Sequence, residues 1–257
     1  MTGLAINNPR IQRLRRLIGR RSSRTEEGCF VIEGPVLIAE ALRAGWCPEA
    51  QFIPEGSGTA IDGAGDVFEL AEGVFERVAP TGTPQPPLAI ASIGGGGAAP
   101  SIESASLVLV LDRISDPGNL GTILRSAEAG GVDLVVLTPG SADPYGPKAV
   151  RASAGALFHV PVVVATAGDV RAAGLRLIGT SSHDGDGRTV RAHDEIDWSG
   201  RVAIVMGSEA AGLPDEWSDT DGPIGEWVSI EHVGRSESLN VAMAATVLVF
   251  EAARQRR

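Results

Sequence analysis

The chain reads as an α/β protein in two parts, the second built on a mostly parallel sheet. Three observations carry this. In residues 107–257, short apolar runs alternate with stretches of helical period, the pattern of buried strands joined by crossover helices. Residues 1–98 combine an arginine-rich amphipathic stretch with several short strand-like runs, which describes a smaller α/β domain. Between them, IGGGGAAPSIES (93–104) contains four consecutive glycines and reads as a flexible connector. The expected organisation is a domain over 1–98, a linker over 99–106 and a second domain over 107–257.

In the first part, NPRIQRLRRLIGRRSSR (7–24) sets Ile11, Leu14, Leu17 and Ile18 at helical spacing with arginines between them. This predicts one amphipathic helix with a basic outer face. CFVIEG (29–34) is rich in strand formers. PVLIAEALRAG (35–45) opens on Pro and ends on Gly, the asymmetry of a helix start and stop. QFIPE, DVFELA and LAIASI are further short strands.

In the second part, LVLVLD (107–112) is a continuous apolar run, as for a strand covered on both faces. A helix follows over 119–129, ended by Gly130 and Gly131, then the strand VDLVVLT (132–138). AVRASAGALF (149–158) reads as helix and HVPVVVA as strand; LRLIGTS (175–181) and RVAIVMG (201–207) are two more strands. LNVAMAATVLVFEAARQRR is a long helix, apolar on most faces until Glu251, and such a helix is buried on several sides.

Composition narrows the class. The chain has 257 residues, 43% hydrophobic and 21% charged, an ordinary globular balance. Its two cysteines, Cys29 and Cys47, form no CxxC, which argues against a disulfide framework or a zinc site. No stretch resembles a signal peptide or a membrane span, so the cytoplasm is expected. Net charge is −10, yet residues 1–24 hold seven arginines and no acid. The single lysine is Lys148; the other 21 basic residues are arginines, whose planar guanidinium suits phosphate. No P-loop, GxGxxG, nucleophile elbow or metal-ligand spacing is present.

Three segments carry the chemistry. DPGNLGTILRSAEAGG (116–131) opens on turn formers; Asn119 reads as the N-cap, and Arg125 lies away from the apolar stripe of Leu120, Ile123, Leu124 and Ala127. VMGSEAAGLP (205–214) ends a strand in a loop with Gly207, Glu209 and Gly212. SIEHVGRSESLNVAMAA (229–245) places Ser238, Leu239 and Asn240 at a helix start. Taken singly, the three also describe a capped surface helix, a plain turn and ordinary capping residues.

In this order and spacing, the segments resemble the three signature motifs of the SpoU/TrmH family, RNA 2′-O-ribose methyltransferases of the SPOUT superfamily. The resemblance covers about residues 107–254. It implies a catalytic domain with a deep trefoil knot, a homodimer, S-adenosylmethionine as cofactor and no metal. It implies catalytic roles for Asn119, Arg125, Glu209, Ser238 and Asn240. It implies cofactor contacts from Thr180, Ser181, Gly207, Gly212, Ile230, Ser238 and Leu239. Arg is a poor general base because it holds its proton, so Arg125 acts either when desolvated and assisted by a substrate phosphate or on the developing alkoxide. The family usually has Pro and Met after Ile230; here Glu231 and His232 stand instead.

Residues 1–98 resemble the ribosomal-protein-like substrate-binding domain joined to many members, with Arg13, Arg15 and Arg16 facing RNA. PKAVRASAGALF resembles a further family stretch in which Lys148 and Arg151 face RNA. This domain pairing points to large-subunit rRNA. The alternatives are a tRNA ribose methyltransferase or a non-catalytic RNA-binding protein on the same scaffold.

Overall fold

The computed structural model describes residues 3–97, 100–181, 189–208, 212–218, 224–231, 233–235 and 238–257. Its chain divides into two compact units, Met1–Ala98 with Asp143–His159, and Ala99–Ala142 with Val160–Arg257. In chain order the elements are α1 (Pro9–Gly19), α2 (Arg21–Glu27), β1 (Cys29–Glu33), α3 (Pro35–Arg43), β2 (Ala50–Pro54), β3 (Asp66–Leu70), α4 (Val74–Val78) and β4 (Leu88–Ser92). Then come β5 (Leu107–Leu111), α5 (Pro117–Ala129), β6 (Leu134–Leu137), α6 (Pro147–Ala152) and a 3-10 turn (Ala156–Phe158). β7 (Val162–Val164), α7 (Ala167–Ala172), β8 (Arg176–Thr180), β9 (Val190–Ala192), β10 (Val202–Met206), α8 (Asp215–Ser218), β11 (Ile224–Ser229) and α9 (Val241–Gln255) complete the chain.

The first unit holds a mixed sheet, β1-β4-β2-β3, with β4 antiparallel to both β1 and β2, and β2 parallel to β3. The stripe expected for residues 7–24 is buried: Ile11, Leu14 and Leu17 have no exposed surface and join Phe52, Phe75, Leu88 and Ile90 in one core. The single helix expected there is two. Arg20 is extended (φ −131, ψ 120) and separates α1 from α2. Gly19, the poorest helix former of the stretch apart from Pro9, sits at the break.

Asp143–His159 joins this unit although its sequence lies between β6 and β7. Three features tie it down. The Arg24 guanidinium, buried, pairs with Asp143 (2.6 Å) and also donates to the Leu17 and Ile18 carbonyls at the end of α1. The Tyr145 ring packs on Phe30, with centroids 5.1 Å apart; burial, with Asp143 nearby, pushes its hydroxyl pKa up to about 12. The Trp46 indole donates to the Phe158 carbonyl (3.0 Å) and meets its ring edge-on. The expectation of a second domain running unbroken over 107–257 did not anticipate this excursion. Nor is 149–158 one helix: α6 ends at Ala152, and Ala154 and Gly155 take positive φ (49° and 98°) before the 3-10 turn.

The glycines at 94–97 also differ from the expected connector. They form successive turns, and Gly96 lies so close to the Trp46 ring that a Cβ there would fall 2.4 Å from its indole nitrogen. Glycine is needed for close packing at this point.

The second unit is a seven-stranded sheet, β7-β6-β5-β10-β8-β11-β9, parallel at every pairing. All five residues of β5 and all five of β10 are buried, so both faces of the sheet centre are covered, as the apolar runs predict. One face packs under α7 and Trp217. α5 and α9 pack together: the Ser126 and Thr246 hydroxyls are 2.6 Å apart. A Cβ on Gly130 would fall 2.2 Å from Val249, so the glycine that ends α5 also admits α9.

Candidate active site

The candidate site lies at the carboxyl ends of the parallel strands, where open α/β sheets bind ligands. β10 runs between β5 and β8, and β8 between β10 and β11. The loops after these strands therefore leave the same edge of the sheet, and they carry the three motifs.

The first motif begins in the turn after β5. Asp116, not Asn119, caps α5: its carboxylate accepts the Asn119 backbone N–H (2.9 Å). That amide lies three positions after Asp116, the usual N-cap geometry. Asn119, relieved of capping, lies in the first turn of α5, and its side-chain oxygen accepts from the Asn240 side-chain nitrogen (3.2 Å). Asn240 in turn caps α9 by accepting from Ala242 N–H (2.9 Å). Two side chains 121 positions apart are thus joined at the adjacent starts of two packed helices. Arg125 lies on α5 with its side chain exposed, next to Ser126, which bonds α9.

The second motif follows β10. Gly207 meets Gly212 so closely that a Cβ on Gly207 would fall 2.2 Å from the Gly212 carbonyl carbon. Gly212 has φ +63 and its backbone N–H donates to the Ser208 carbonyl (2.9 Å). Glycine at 207 permits the close approach and glycine at 212 the positive φ. Glu209 lies outside the described residues, as does His232.

The neighbouring strands supply the other cofactor candidates. The Thr180 hydroxyl donates to the Val205 carbonyl (3.2 Å), tying the end of β8 to β10. Ser181 N–H donates to the Val228 carbonyl (2.9 Å), tying it to β11. Ile230 is half-buried just past β11, and Ser238 and Leu239 are exposed just before α9. The paired glycines and the stitched ends of three adjacent strands fit a planar, hydrogen-bonding group such as an adenosyl moiety, held by main-chain atoms.

Sequence reasoning missed a polar cluster beside the first motif. Asp112 is buried at the end of β5; it accepts from the Thr138 hydroxyl (2.8 Å) and from the Arg113 guanidinium (3.0 Å). Arg113 N–H donates to the Thr138 hydroxyl (3.1 Å). The available signal was an acid and a base directly closing an apolar strand.

The basic candidates all fall in the first unit. Arg15 and Arg16 are exposed on α1, and Lys148 and Arg151 are exposed on α6. Arg13 pairs with both Glu27 and Glu49, and Arg16 reaches Glu27 at 3.7 Å. Burial acts to lower the Arg13 pKa, but the two carboxylates outweigh it and raise the value. Among the described residues no cluster of metal-ligating side chains occurs, and no helix is long and apolar enough to cross a membrane.

A parallel sheet carrying these three loops, in a chain that also holds a mixed-sheet unit, defines a class, and comparison with known proteins gives its name. Residues 106–250 match the model of the SpoU rRNA Methylase family, and residues 8–89 match the MRM3-like substrate binding domain. The chain belongs to the SpoU family of RNA 2′-O-methyltransferases. It is 32% identical to the 23S rRNA (guanosine(2553)-2′-O)-methyltransferase RlmP of Bacillus subtilis, over 90% of each chain. It is 31% identical to the 23S rRNA (uridine(2479)-2′-O)-methyltransferase of Streptomyces viridochromogenes, over 97% of this chain and 91% of that one. Among solved structures it is similar to the SpoU methyltransferase AviRb of Streptomyces viridochromogenes in complex with the cofactor AdoMet, with TM-score 0.83 and 29% identity, covering 97% of this chain and 98% of that one.

Proposed function

We propose that this protein methylates a ribose 2′-hydroxyl in large-subunit rRNA, using S-adenosylmethionine. The observation that carries the reading is the Asn119–Asn240 bond at the joined starts of α5 and α9, beside the two-glycine loop after β10. The rRNA substrate is supported by the substrate-binding unit and by the 23S rRNA activity of the two relatives that match along nearly the whole chain.

Bound at the strand ends, S-adenosylmethionine supplies an electrophilic methyl group. Gly207, Gly212, Thr180, Ser181, Ile230 and Leu239 hold the adenosyl end by main-chain and apolar contacts. Asn119, Ser238 and Asn240 orient the ribose. Arg125 would stabilise the negative charge that develops on the oxygen as its proton passes to solvent water, since a guanidinium is most effective against developing negative charge. Glu209 supports the cofactor loop. Arg15, Arg16, Lys148 and Arg151 bind phosphates, with Arg13 holding α1 in place.

We also propose a homodimer, formed through α9. Met243, Val247 and Phe250 recur at i, i+4 and i+7, and Met243 and Phe250 are exposed at 63% and 45%. Such a stripe is suited to a second copy. The trefoil knot that the family resemblance implies belongs to the same proposal.

The test is transfer of tritium from labelled S-adenosylmethionine to unmodified rRNA and to bulk tRNA in parallel, followed by mapping of the ribose. Label at one 2′-O position of rRNA is the expected result. Label in tRNA alone would overturn the substrate. Cofactor-binding failure would favour a non-catalytic RNA-binding role.

A further inference from the structure

Arg113 stands where the backbone disfavours it. Its φ is +53, in the left-handed region that glycine occupies at no steric cost and that a long side chain enters only with strain. Among the described residues only one other non-glycine, Ala154, has positive φ. Strain of this kind persists where the surroundings impose it, and it clusters at functional sites.

The surroundings of Arg113 are built. Its N–H donates to Thr138, which donates to the buried Asp112, which accepts the Arg113 Nε–H. Gly140, at φ +96, lies beside the side chain: a Cβ there would be in ordinary contact with Arg113 Cγ, at 3.4 Å. Asp112 takes only the Nε edge of the guanidinium, and the side chain is 47% exposed. The Nε edge is therefore held by Asp112 while nearly half of the side chain remains exposed. Arg113 lies three residues before the cap of α5, at the strand ends that carry the catalytic motifs.

A purely structural role explains this poorly. Asp112 already has a hydroxyl partner in Thr138, and the turn itself favours glycine. We propose that Arg113 is a substrate-contacting residue: its guanidinium binds a phosphate of the RNA backbone next to the ribose being methylated, with Asp112 and Thr138 as positioning residues. This rests on the reading of the protein as an RNA methyltransferase and adds a phosphate contact from the catalytic unit itself.

The discriminating variant is Arg113→Gly in the full chain, because glycine removes the head and relieves the backbone together. We expect an unchanged or raised Tm and unchanged S-adenosylmethionine affinity. RNA affinity should fall about tenfold, and the slope of log affinity against log salt should shrink by about 0.7–0.9, the value of one lost phosphate contact. Arg113→Lys, which keeps the charge but not the fork, should restore the salt slope in part. Unchanged RNA affinity and slope in Arg113→Gly would overturn the proposal. So would a large fall in Tm, which would assign the guanidinium to the fold through Asp112. The unaltered protein, assayed alongside, reports separately on the broader reading: if it methylates no RNA that reading fails, whereas loss confined to the variant ratio concerns Arg113 alone.

Discussion

The two units present their functional side chains in opposite ways. In the first, basic groups stand on the outer faces of α1 and α6, and apolar stripes and one buried ion pair hold those helices from beneath. In the second, most candidates sit at strand ends and helix starts, and several are fixed by a partner far away in sequence, as Asn119 is by Asn240 and Thr180 by Val205. A charged surface spreads its binding energy over many contacts, so each residue counts for little. A site of single, placed groups concentrates its effect, so each residue counts for much.

Substitutions should expose that difference, beginning with the largest effect. Arg125→Ala should lower methyl transfer about a thousandfold, the scale of losing one preorganised group at a developing charge. S-adenosylmethionine affinity, measured by calorimetry, should stay unchanged, and turnover within tenfold of normal would remove Arg125 from the mechanism. Next, Asp143→Ala strands the buried Arg24 charge and should cost about 3 kcal/mol in urea unfolding. Converting both partners to apolar residues, Arg24→Met with Asp143→Leu, should recover most of that loss; no recovery would mean that Asp143 matters for another reason.

Asn240 separates two roles in one residue. Asn240→Ala should cost about 1 kcal/mol as a lost cap and also reduce methylation. Asn240→Asp keeps the cap but loses the donor to Asn119, so stability should hold while activity still falls. Equal activity for Asn240→Asp and the unaltered protein would dismiss the Asn–Asn bond as a catalytic feature.

Smaller effects are expected on the basic surface. Arg15→Ala and Arg16→Ala should each weaken RNA binding about threefold and flatten its salt dependence. Arg13→Ala should act more on stability, because that side chain is engaged by Glu27 and Glu49. The smallest effect belongs to Glu251. Hydrogen bonds from Arg254, then Gln255, hold its pKa down at about 2 despite partial burial. Its stabilisation should be intact above pH 4.5 and be lost as pH falls through about 2. The Tm gap between the unaltered protein and Glu251→Gln should close over that range.

Much of this was legible in sequence, for local reasons. Apolar runs such as LVLVL give strands covered on both faces whatever their partners, and a Pro start with a Gly stop gives α3. The motif residues were legible because their order and spacing are specific. What escaped were features set by distant partners. Nothing local tells that Asp116 caps α5 and frees Asn119 for Asn240. The break at Arg20 and the turn at Ala154–Gly155 oppose an otherwise continuous helical pattern, and both lie beside the Arg24–Asp143 pair or the excursion that it anchors. The Asp112–Thr138–Arg113 cluster depends on strand pairing that periodicity does not encode.

The excursion of 143–159 has a bearing on how such a protein can be divided or evolve. A cut at the glycine run looks natural in sequence, yet it would leave each half incomplete. The N-terminal piece would lose the covering of Phe30 and Trp46, and the C-terminal piece would carry Tyr145 and Phe158 with nothing to receive them. The two halves are therefore not interchangeable modules: exchanging either for that of a relative requires exchanging this stretch with the half it folds into, not with the half it is numbered in.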